Sequence, residues 1–132
     1  MNITNINKNY VLAGAAEWRV DRDYFDPIFN YLVHGYEPGS FFTALLANDF
    51  MGAIARSHPG NRVENLKALC GWIQDRTPRE SFGSYEKVDA WIKLPEAARR
   101  SILERRRFLL SEKEEVTLIL KGKDFQEEPS LY

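Results

Sequence analysis

The chain has 132 residues, with 18 Lys and Arg against 19 Asp and Glu, a formal charge of -1, and 44% hydrophobic and 13% aromatic residues. That apolar content supports a packed core and excludes a disordered chain, and the near-neutral balance excludes both a strongly basic coat for nucleic acid and an acidic mimic of DNA. The single cysteine, Cys70, excludes an intrachain disulfide and points to a reducing compartment, the cytoplasm.

No apolar run approaches the ~18–20 residues that span a bilayer, and residues 1–9, polar and Asn-rich, lack a secretory apolar segment and read as a frayed or loosely docked end. Residues 10–20 read as strand or loop, because Ala13, Gly14, Ala15 and Ala16 fit neither a strong strand nor a clean amphipathic helix. Asp26 followed by Pro27 has the form of an N-cap with proline in the first turn. It predicts a short helix whose stripe is Ile28, Phe29, Leu32 and Val33, closed by Gly35 in the left-handed conformation.

Pro38 and Gly39 make a turn, after which Ser40 caps a predicted helix over residues 41–56, with Phe42, Leu45, Leu46, Phe50 and Ile54 inside. His58, Pro59 and Gly60 punctuate the chain, and Asn61 caps the next helix, buried through Val63, Leu66, Leu69, Cys70 and Ile73 with Trp72 at its flank. Ser84 caps a helix carrying Tyr85, Val88, Trp91 and Ile92. Pro95 stops that helix and opens another, with Ala98, Ile102 and Leu109 inward. Residues 111–121 carry conflicting signals. Ser111 and Glu114 have capping-box spacing, while Val116, Thr117 and Ile119 favour a strand.

The expected architecture is one domain over residues 1–132, mainly α. It is a compact bundle of four to five short helices, with a small β-ribbon from the N- and C-terminal segments as an addition. Residues 25–93 form its helical core, and residues 94–132 a basic helix followed by a strand or helix. Phe42, Leu45, Phe50, Leu66, Leu69, Ile73 and Trp91 are expected to share one core.

Candidate chemistry is sparse. His34 precedes Gly35 at a helix end, where the dipole favours an imidazolium cap, and His58 before Pro59 reads as a loop residue. One Cys and two separated His do not make a metal site. Asp21, Asp23 and Asp26 lack the glycine and distal Glu of a calcium loop. No Gly-Lys-Ser/Thr phosphate loop occurs, so neither metal nor cofactor is expected. Asn48 and Asp49 interrupt an apolar helix and read as a buried buttress, with donors from the turn at residues 38–40 or from Arg56.

The strongest partner-facing candidate is Arg99, Arg100, Arg105, Arg106 and Arg107. On a helix these guanidinium groups are expected to be exposed and ready for phosphate or carboxylate. The plainer reading is a solvated face paired with Glu96, Glu104, Glu112, Glu114 and Glu115, as most charge runs are.

His34-Gly35, Pro38-Gly39, Phe41 and Asn48-Asp49, set within residues 31–50, form a spaced pattern. Asn61, Trp72, Pro78, Gly83-Ser84, Val88 and Trp91-Ile92 extend it, so that it covers residues 25–93. The segment resembles a family of small tailed-phage and prophage proteins. The resemblance carries no catalytic residue, and the shared positions are caps, turns and core.

By association it implies a non-enzymatic protein in the cytoplasm of a host cell that blocks a host protein complex, such as a CRISPR-type defence system. The alternative is a nucleic-acid-associated accessory or regulatory protein that uses the arginine helix. Neither requires a membrane.

Overall fold

The computed structural model describes residues 5–111. Among them the chain forms seven α-helices: α1 (Lys8–Trp18), α2 (Phe25–Phe29), α3 (Ser40–Leu46), α4 (Phe50–Arg56), α5 (Val63–Arg76), α6 (Tyr85–Lys93) and α7 (Glu96–Arg105). A π-helical turn, Asn30–His34, continues α2, and 3-10 turns occupy Arg22–Tyr24 and Arg79–Ser81. The mainly helical class agrees with the sequence reading. The count is higher than four to five for two reasons.

First, residues 10–20 are helical. The small residues that obscured the pattern are what α1 needs to lie close against α5. A Cβ on Gly14 would meet the Arg76 side chain, and a Cβ on Gly71 of α5 would meet the Trp18 ring at 2.2 Å. Trp18 Nε1 donates to Asp75 Oδ2 at 2.6 Å, the Tyr10 hydroxyl to the Asp75 carbonyl at 3.1 Å, and Trp72 Nε1 to the Val11 carbonyl at 2.9 Å.

Second, residues 41–56 form two helices. Asn48 takes a left-handed φ of 63°. The Asn48 N–H then bonds the Leu45 carbonyl and the Asp49 N–H the Ala44 carbonyl, the paired bonds of a Schellman stop. Asp49 at once starts α4, its Oδ1 accepting from the Gly52 N–H at 2.9 Å. The Asn-Asp pair is therefore a stop and a start rather than a buried buttress. The break also rotates α4 out of the predicted register: Ala53 is buried, whereas Phe50 is 52% exposed and Ile54 also faces solvent.

The same stop recurs at α1 and α7, where Arg19 and Arg107 take φ of 60° and 69°. Val20 N–H bonds the Ala15 carbonyl and Phe108 N–H the Leu103 carbonyl, and both pairs are buried. Further corrections are local. Asp21, not Asp26, caps the turn before α2, through a bond from the Asp23 N–H, and Asp26 lies inside the first turn of α2. Arg62 rather than Asn61 stands at the N-cap of α5. Gly35 does close its helix with φ of 69°, and Ser84 Oγ does accept from Lys87 N–H.

Trp72, Trp91, Tyr31 and Phe108 are the largest fully buried side chains, with Ile28, Leu32, Leu66, Leu69 and Leu103 among them. Their polar atoms find carbonyls, as buried donors must. Trp91 Nε1 donates to the Tyr31 and Leu32 carbonyls at 3.3 and 3.2 Å, and the Tyr31 hydroxyl donates to the Ser81 carbonyl at 2.6 Å. Of the expected core set, Leu45, Leu66, Leu69, Ile73 and Trp91 are buried, Phe42 is partly buried and Phe50 is outside.

Within the stretch read as frayed or loosely docked, Asn5 and Ile6 are buried. The anticipated ribbon is reduced, among the described residues, to one antiparallel bridge between Ile6 and Leu109. The strand-or-helix choice over residues 112–121 lies outside the described residues.

Candidate functional site

α7 carries Arg99, Arg100 and Arg105 of the candidate cluster and the turn after it Arg106 and Arg107, and their side chains part. Arg99 is the clear correction: it is 5% exposed and buried. Its guanidinium donates to the carbonyls of Val33 and Ile92, each at 3.4 Å, and of Leu94. It shares the inner stripe with Leu103, one turn on, which is fully buried. The cation thus sits against carbonyls that end the π turn and α6, where the helix dipole is negative. Gly35 is required beside it. A Cβ there would meet Arg99 Nη1 at 2.7 Å.

The remaining four lie at the surface, each with an internal contact. Arg100 Nε pairs with Glu104 Oε1 at 3.0 Å, one turn along α7. Arg105 and Arg106 converge on the same oxygen of Glu80, at 3.1 and 3.0 Å. The Glu80 carboxyl is held below the usual carboxylate range, first by the Arg106 hydrogen bond. Arg107 is committed to the left-handed turn after α7. Its carbonyl accepts from Asn7 Nδ2 at 3.0 Å, and its guanidinium lies 5.4 Å from the centre of the Tyr10 ring.

His34 stacks on Tyr36 at 5.3 Å, with Nδ1 4.0 Å from Glu96 Oε1. His58 Nδ1 accepts from the Gly60 N–H, which makes it part of a turn. Among the described residues no group of three or more His, Cys, Asp or Glu is arranged to hold a metal. No helix there is long and apolar enough to cross a membrane.

Asp49 makes a tertiary contact absent from the sequence reading. Its Oδ2 accepts from the Tyr85 hydroxyl of α6 at 2.5 Å, and a Cβ on Gly52 would displace the ends of the Asp49 and Arg56 side chains. The Tyr85 bond, with that from Gly52, lowers the Asp49 pKa, and the Asp49 bond raises that of Tyr85.

The stability that Asp49 contributes is present above the unfolded carboxylate pKa of about 4 and is lost as pH falls through its lower folded pKa. That of Tyr85 is present below an unfolded pKa of about 10 and is lost as pH rises through its higher folded pKa. The difference in melting temperature between wild type and Tyr85→Phe should therefore be widest between those limits and narrow on both sides. It should be small throughout, because the pair faces solvent. A difference independent of pH would show that the bond does not form.

Phe50 and Ile54 of α4 and Val63 at the start of α5, placed inside by the sequence reading, face outward instead, and Met51 of α4 is exposed with them: Phe50, Met51 and Val63 are 52%, 83% and 65% exposed. Phe50 and Val63 share a groove of about 390 Å³ with Trp18, Lys67, Cys70, Gly71 and Gln74.

Comparison of the chain with protein-family models, with curated proteins and with solved structures finds no match. Scattered exposed apolar residues are ordinary; here an aromatic ring, a thioether and branched aliphatics are exposed on the consecutive helices α4 and α5, with Phe50 and Val63 bordering the groove. The signal available in the sequence was Asn48 followed by Asp49-x-x-Gly52, a stop and an N-cap that re-aim the residues after it.

Proposed function

We propose that this chain is a non-enzymatic binding protein that occludes a host protein complex, of the anti-defence kind implied by its resemblance to small tailed-phage proteins. The observation that carries the reading is the outward set Phe50, Met51 and Ile54 on α4. Large apolar groups held on a folded element are costly to leave in water and become favourable when a partner covers them. Methionine adds an adaptable contact. The work of such a protein is steric: it binds and blocks.

The alternative, a nucleic-acid accessory protein using the arginine helix, is favoured by Arg105, whose side chain is 63% exposed despite its Glu80 bond. It is weakened by Arg99, which is spent on backbone carbonyls. Affinity capture from host cells with nuclease treatment separates the two. The expected result is a stoichiometric protein partner that survives nuclease and salt of about 0.5 M, where phosphate contacts lose orders of magnitude in affinity. Capture abolished by nuclease would overturn the proposal in favour of the alternative.

A further inference from the structure

We infer that the groove between α1, α4 and α5 receives a helix of a partner protein whose apolar face is flanked by acidic residues. This rests on the reading of the chain as a binding protein and adds the place and the charge.

The argument begins with α5. Val63, Lys67, Cys70 or Gly71, and Gln74 follow one another at helical spacing and all line the groove. The stripe is about 16 Å long at 1.5 Å per residue. Gly71 gives the floor no side chain, while Trp18 of α1 and Phe50 of α4 form walls. Beyond Cys70 and Gln74 the depression continues into a second one of about 190 Å³, lined also by Leu45, Leu46, Asn48, Ile73, Phe82 and Gly83. A long, mainly apolar trough that follows a helix fits the spacing of another helix with anchors one turn apart.

Charge selects the partner. Lys67 lines the groove and Arg62 immediately precedes the lining residue Val63, with Glu64 the one acid between them, a local excess of one positive charge. Arg62 and Lys67 are exposed and make no ion pair among the described residues. At the Trp18 end the nearby acids are engaged: Asp75 accepts from the Trp18 indole, and Glu17 pairs with Arg76 at 3.1 Å. An apolar trough with a positive rim is complemented by an apolar helix with an acidic border, and rim charges of this sort set encounter rate and partner choice.

The test uses the full chain and fluorescent helical peptides of one design. Leucines occupy the anchor positions, and the flanks are all Glu, all Gln or all Lys; binding is read by anisotropy. The Glu peptide should bind at least about tenfold more tightly than the Lys peptide at low salt, with the gap closing at high salt as screening requires. Reversing the rim, Arg62→Glu with Lys67→Glu, should invert the order. Phe50→Ser with Val63→Ser should abolish binding of every peptide, and since all four positions are exposed, the thermal midpoints should stay near that of wild type.

Peptides that fail to bind, or bind without regard to charge, would overturn the inference. So would sedimentation showing self-association through Phe50, or a single-stranded oligonucleotide that competes for the groove. None of these touches whether a protein partner exists, which the nuclease-treated capture reports separately.

Discussion

Replacing Trp72 by alanine is expected to cost about 3–5 kcal/mol, the range for large aromatic truncations in a packed core. The side chain is fully buried. Its ring lies 5.2 Å from that of Phe25 and 6.0 Å from that of Phe29, and Nε1 holds the Val11 carbonyl of α1. The substitution would therefore open a cavity among α1, α2 and α5 and orphan a carbonyl as well. Against a total stability of about 5–15 kcal/mol for a domain, the loss would leave the fold marginal. Urea titration measures it. Trp72→Phe should recover most of the packing and leave the carbonyl unpaired, an intermediate loss. Midpoints indistinguishable from wild type would mean that α1 does not dock on α5 as described.

The second large effect is expected at Arg99. Its guanidinium serves the carbonyls of Val33, Ile92 and Leu94 with no carboxylate partner among those bonds. Buried ion pairs can often be replaced by apolar residues without loss, because two desolvated charges disappear together. Here the acceptors are backbone and cannot be removed. Arg99→Met keeps much of the volume but strands the carbonyls, at about 1–3 kcal/mol for each that water cannot reach. Arg99→Ala adds a cavity. The expected order of stability is wild type, then Lys, then Met, then Ala, because one ammonium can meet some of the acceptors but not span them all. Equal stability of Met and wild type would show that solvent already satisfies those carbonyls.

Much of the fold was legible where a single residue type dictates the backbone. Gly35 ends its helix with positive φ, Ser84 caps α6 through its hydroxyl, and Pro95 separates α6 from α7. Apolar spacing located Leu66, Leu69, Ile73 and Trp91 in the core. What the sequence concealed was set by tertiary contact. The alanines and glycine of α1 carry little amphipathic signal, yet Gly14 leaves the space that Arg76 of α5 fills, as Gly71 of α5 does for Trp18 of α1.

Charge misled at Arg99, because a guanidinium can be inside when carbonyl ends surround it. Its position one turn before the buried Leu103 was the available warning. The candidate surface was misread through one assumption, that the helix runs on past Asn48. With Asn48 left-handed, Phe50 and Ile54 pass from the core to the outside.

A chain that works by binding a protein through the outward apolar residues of α4 should reveal it in nuclease-treated capture with wild type, Met51→Glu, and Arg100→Glu with Arg106→Glu. Met51 is 83% exposed, so its substitution should leave the melting temperature almost unchanged. It places a carboxylate where an apolar contact would form, and burying that charge unpaired should cost the complex at least about tenfold in affinity. Partner retained by the double arginine variant and lost by Met51→Glu is the predicted result. Partner retained by Met51→Glu and lost by the arginine variant, with both folds intact, would contradict it.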